Sequence, residues 1–170
     1  MATSAVTICS NALLMLGDKP IASFTENTDR ALLASNLYPQ ARDLLLRSHP
    51  WNCAIKRVIL SPDVDTPAYD YAYQFSLPGD WLRTLSVGEY QEAVDYVTEG
   101  RKILCDDSAL KLRYIFRNED ESTWDVMLVD IMTKVMAATM AYAITSRTAK
   151  EEAEFAKLDR ALKTARAVDA

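Results

Sequence analysis

The chain's only histidine, His49, stands four residues before Cys53 in the stretch SHPWNC. A thiol and an imidazole this close in sequence could act as nucleophile and general base in a hydrolase. Such a pair also needs a group that orients the ring, donors for an oxyanion and a strained turn that presents the sulfur. No glycine-rich turn adjoins SHPWNC to supply that presentation. The residues fit a joint better. His49 ends a helical pattern, where a protonated ring meets the negative end of the helix dipole. Pro50 stops the helix, and Trp51 anchors the strand that follows. A Cys-dependent hydrolase using Cys53 and His49 is the alternative reading.

Other groups capable of chemistry are scattered. Asp106-Asp107 and the NEDES stretch, 118–122, pair carboxylates. Acid/base work would need one of them buried and shifted in pKa. Both follow strand patterns and read as exposed turns, NEDES also placing anions before a helix N-terminus. One histidine among dispersed carboxylates gives no metal-ligand spacing. LPGDW, 77–81, lacks the Lys-Ser/Thr ending of a phosphate loop and reads as a turn between strands. Cys9, Cys53 and Cys105 are odd in number and have no C-x-x-C spacing, so neither a disulfide framework nor a zinc site is indicated. No catalytic, cofactor-binding or metal-ligating residue is assigned, no cofactor is expected, and the chain reads as a non-enzyme. Met127, Met132, Met136 and Met140 could line an adaptable groove, but helical core is their simpler meaning. Some of them could also face a neighbouring subunit. Arg160, Lys163 and Arg166, spaced three apart, form either a solvated helix end or a short basic docking surface.

The elements that must position these residues follow from periodicity. Residues 3–16 form a helix that Gly17 ends, and DKPI turns the chain. A second helix runs over 28–48 through Leu32, Leu37, Leu44 and Leu45, with a kink expected at Pro39. After Pro50 the period becomes two. In YDYAYQFSL, 69–77, Tyr69, Tyr71, Tyr73, Phe75 and Leu77 alternate with small or polar residues, as in a half-buried strand. AVDYVTEGRKILC gives two strands joined at Glu99-Gly100, and LKLRYIFR gives another. From Ser122 onward neither Gly nor Pro occurs. Trp124, Leu128, Ile131, Val135, Ala138 and Tyr142 make one apolar stripe. Thr148 and Glu151 have capping-box spacing before a last helix with Phe155, Leu158, Leu162 and Ala165 on one side. Lys150/Glu154 and Asp159/Lys163 are expected pairs on that helix. The fold class is α+β: a single domain over 1–170, with a bundle of about four helices from 1–50 and 122–170 and a small antiparallel sheet inserted at 51–118.

Composition limits the function. With 49% hydrophobic and 25% charged residues the chain suits a packed globular protein rather than a disordered one. Its 24 acidic and 19 basic residues leave a net charge of −5, against broad adhesion to nucleic acid or an anionic membrane. The N-terminus lacks the basic region of a signal peptide, and no apolar run is expected to approach the roughly 18 residues of a membrane span. A soluble product of the bacterial cytoplasm, without membrane contact, is expected.

Four segments carry a resemblance: NALLMLGDKPI (11–21), LYPQARDLLLRSHPWNCA (37–54), LPGDWLR (77–83) and WDVML (124–128). In this order they resemble tail tubular protein A of short-tailed bacteriophages and related prophage proteins, over most of the chain. R-D-x-L-L-R-x-H-P-W-N is the strongest element. The resemblance implies a helical bundle with a β-rich insertion and a structural role as head-to-tail adaptor in the virion. About a dozen copies would ring the DNA exit channel, closed by head-to-tail contacts. One side of the ring would meet the portal protein, the other the tail tube or nozzle, and DNA would be only passing cargo. Arg160, Lys163 and Arg166 are then the candidate portal-docking residues. Tail tubular proteins typically run longer than this chain, so the resemblance leads to the expectation that any C-terminal extension gripping the portal is reduced or absent here. The isolated protein is expected to be mainly monomeric. An acidic balance suits a channel that must not hold phosphates. A small prophage-encoded protein that binds one host partner is the other alternative.

Overall fold

The computed structural model describes residues 3–89 and 94–168. The fold is α+β, with four helices and two small antiparallel three-stranded sheets among the described residues. The chain separates into two compact units: a helical one up to His49 and from Glu119 onward, and a β unit, Pro50–Asn118.

In the helical unit, α1 (Ala5–Leu16) starts at Ser4, whose hydroxyl accepts from Thr7 N–H at 3.2 Å. It ends in a Schellman motif. Gly17 N–H donates to Leu14 C=O and Asp18 N–H to Leu13 C=O, both at 3.0 Å. Gly17 has φ 84°, a conformation that favours a residue without Cβ. Helix α2 (Asp29–Ser48) runs unbroken across Pro39 after a Thr28 cap. Its inward face differs from the expected leucine line. Ala31, Ala34, Tyr38, Ala41 and Leu45 are buried, whereas Leu32 and Leu44 face outward. Alanine lets a neighbouring helix come close, which the longer leucines would prevent.

Helix α3 (Val126–Thr145) is the centre of this unit and packs against α1, α2 and α4 (Thr148–Val168). Its 20 residues are long and apolar enough to cross a membrane by length and composition, since Asp130 and Lys134 hardly dilute them. Packing on three sides accounts for that apolar character. Met132, Met136 and Met140 are buried, as a core reading requires, and are therefore not available to a neighbouring copy. Tyr142, expected inward, is exposed. Ser146 then takes φ 54° and breaks the helix before α4. Arg147 C=O accepts from Lys150 and Glu151 N–H, so Thr148 is the first residue of α4 rather than the cap expected from sequence.

The β unit contains β1 (Ile55–Leu60), β2 (Tyr73–Ser76), β3 (Trp81–Val87), β4 (Tyr96–Glu99), β5 (Lys102–Cys105) and β6 (Leu110–Phe116). The single expected sheet is instead two, ordered β1-β6-β3 and β2-β5-β4. Phe75, Ile103 and Cys105 from one share a core cluster with Leu110, Leu112 and Tyr114 from the other. One sheet alone would leave such a face uncovered within the unit.

The tyrosine-rich strand is shorter than its alternation suggests. Asp70 has φ 69°, Tyr71 N–H donates back to Tyr69 C=O, and the ladder starts only at Tyr73. The β4–β5 hairpin turns at Gly100-Arg101, one residue later than expected, with Gly100 at φ 58° and Glu99 paired with Lys102. The segment 90–93, where AVDYVTEG begins, lies outside the described residues.

Candidate functional site

SHPWNC spans the boundary between the units. His49 caps the C-terminus of α2 in extended backbone, φ −147° and ψ 147°. Trp51 is 2% exposed and starts a short 3-10 turn, Asn52–Ala54, in which Ala54 N–H donates to Trp51 C=O at 2.8 Å. The backbone oxygen of Cys53 accepts from buried Asn118 Nδ2 at 2.8 Å and so ties the two ends of the β unit together. Asn118 opens the NEDES stretch, whose reading as an exposed turn concealed this role.

The remaining NEDES carboxylates are engaged too. Tyr38 donates its hydroxyl to Glu121 Oε1 at 2.9 Å, and Arg42 Nη2 lies 3.0 Å from both Asp43 Oδ1 and Glu119 Oε1. Asp120 Oδ1 accepts from Ser122 N–H. Burial, then the Glu121 charge and hydrogen bond, push the Tyr38 phenol up. Burial and the same carboxylate raise the nearby Cys9 thiol to about 12, which keeps it from acting as a nucleophile near neutral pH. Burial likewise raises Cys105. At the 106–107 pair, Asp106 Oδ1 accepts from Ala72 N–H at 2.9 Å, holding the loop before β2. No group of three His, Cys, Asp or Glu side chains suited to a metal occurs among the described residues.

Arg160, Lys163 and Arg166 are all exposed on the second half of α4 but do not form one unpaired patch. Lys163 is 2.9 Å from Asp159. Arg166 Nη2 donates to Ser48 Oγ at 3.3 Å and borders an apolar groove of about 300 Å³ between α2, α3 and α4, with Leu37, Leu44, Val135 and Leu162 among its walls. The groove combines one cation with apolar walls, a surface suited to association rather than bond chemistry.

The inward line of α4 also departs from expectation. Phe155 is 48% exposed, while Glu154 is 1% exposed and Ala165 is buried. Both Lys150 Nζ and Lys157 Nζ lie 2.9 Å from Glu154 Oε1. Burial alone would raise the Glu154 carboxyl, but its hydrogen bonds from Lys157 and Lys150 hold it below the usual range. Sequence spacing gave the Lys150 pair but not the burial, because a glutamate is rarely placed on a core-facing line.

The chain matches no family model, and it matches no curated protein.

Proposed function

We propose that this chain is a structural head-to-tail adaptor of a tailed phage or prophage, seated in the virion between portal and tail tube or nozzle. The observation that carries the reading is the joint. R-D-x-L-L-R-x-H-P-W-N, the strongest segment of the resemblance, lies where the helical unit stops and the β unit starts. A helical bundle interrupted by a β-rich insertion is the architecture that resemblance implies, and the boundaries at His49 and Asn118 fit it. The groove beside Arg166 supplies an apolar surface next to a cation, and Arg160 and Lys163 extend the charge along α4. Portal docking through this end of α4 combines apolar burial with salt-sensitive attraction.

Size-exclusion chromatography with and without the portal encoded with the chain tests the reading. The isolated protein is expected to elute mainly as a monomer at physiological salt and to co-elute with portal when mixed. Replacing Arg160, Lys163 and Arg166 together by Gln should leave the monomer folded and weaken portal binding. Unchanged binding would remove these residues from the docking surface. Failure of the wild type to bind the portal would remove the adaptor reading.

A further inference from the structure

The two sheets of the β unit carry opposite charge. With adjoining loops, the β1-β6-β3 sheet (50–60, 77–89 and 109–118) has six basic and two acidic residues; the β2-β5-β4 sheet (61–76 and 94–108) has seven acidic and two basic. Their apolar faces meet in one core, so Arg57, Lys111 and Arg113 of one sheet and Glu99 of the other lie on faces turned away from it.

On the basic sheet, Arg57 lies directly across from Arg113, and exposed Ile59 across from Lys111. Like charges at opposed positions weaken an antiparallel pair. Yet neither guanidinium has a carboxylate partner among the described residues, and Arg113 Nε is buried without an acceptor. Lys111 on this face is paired with Glu89.

On the acidic sheet, loop 66–71 folds over the outer face and leaves a cleft of about 290 Å³ bordered by Asp70, Tyr71, Glu99 and Lys102. The Lys102 charge is already engaged by Asp63 at 2.9 Å. Desolvation and then Asp95, Asp70, Asp106 and Glu99 raise the Tyr71 phenol, a sign that these carboxylates surround it. Asp70, Asp95 and Glu99 have no cationic partner among the described residues.

We propose that these faces are the two halves of a contact between copies of this chain, the Arg57–Arg113 face of one receiving the Asp70–Glu99 face of the next. A two-fold dimer would set like charge against like, whereas a head-to-tail contact sets each face against its complement. The proposal deepens the adaptor reading and rests on it only for closure into a ring. An acidic neighbour over Arg57 and Arg113 also hides guanidiniums that would otherwise hold passing phosphates. The contact is weak alone and salt-sensitive, and copies held side by side on a template reach it through raised effective concentration.

Sedimentation velocity on the full chain, without portal, tests this separately from portal binding. Wild type should associate at low salt and dissociate at high salt. Arg57→Glu with Arg113→Glu should abolish association, as should Asp70→Lys with Glu99→Lys, and an equimolar mixture of the two variants should associate again, in a one-to-one ratio. Circular dichroism checks their folding. If either charge reversal fails to fold, the milder Arg57→Gln and Glu99→Gln variants each weaken wild-type association about tenfold. Wild type that stays monomeric at low salt, variants that associate like wild type, or folded variants that fail to pair would overturn the proposal. So would retention of duplex DNA through Arg57 and Arg113 in place of self-association.

Discussion

The helical unit and the β unit treat charge differently. Arg42 is 8% exposed and Glu154 1% exposed, and each is met by two opposite charges within its own unit. In the β unit Arg57 and Arg113 face each other without a carboxylate, while Asp70 and Glu99 on the other sheet form no ion pair among the described residues, the nearby Lys102 being bound to Asp63. Both arrangements hold charges in fixed places, but only the first completes itself. Pairing inside the bundle serves its own stability, whereas sorting charge by sign leaves the β unit two faces that need an outside partner.

The comparison can be broken first at the apolar anchors. Trp124→Ala in the helical unit and Trp51→Ala in the β unit should each cost about 3–5 kcal/mol in chemical denaturation, since both rings are buried. Arg42→Ala should cost about 2 kcal/mol by the same measurement, because it removes the guanidinium that meets both Asp43 and Glu119. His49→Ala comes next, at about 0.3–1 kcal/mol for a helix-end interaction, and a larger loss would give the histidine a buried role. Arg57→Thr should change stability least, by a few tenths of a kcal/mol and in the favourable direction, since it relieves the opposed Arg113. A large loss there would mean that the basic face is satisfied within the unit.

Acid sharpens the same contrast. The folded Glu154 carboxyl titrates below the ordinary value of 4.5. Its stabilisation is therefore complete above that value and fades as pH falls through the lower folded pKa. Glu154→Gln should flatten this part of the acid-denaturation curve, and an unchanged curve would remove Glu154 from the bundle's pH response.

Periodicity disclosed the element order because burial on one face leaves a repeat of 3.6 or 2. It misplaced faces wherever a local contact outweighed the pattern. Tyr69 and Tyr71 alternate with polar residues, yet the left-handed Asp70 takes them off the ladder. Phe155 looked like the core position of α4, and the lysine-clamped Glu154 occupies the inward line instead. The joint was legible from His49, Pro50 and Trp51. Asn118 was not, because its hydrogen bond to Cys53 crosses 65 residues of sequence. Nor could charge counting along the chain expose the difference between the sheets, since their segments interleave in sequence and separate only when six strands divide between two sheets.

Electron microscopy of this protein mixed with a portal encoded beside it tests the proposed adaptor role and the proposed contact together. The account predicts a closed ring beneath the portal, with the Arg57–Arg113 face of every copy against the Asp70–Glu99 face of its neighbour. Copies bound to the portal without touching one another, or a ring closed through other surfaces with both charged faces open to solvent, would contradict it.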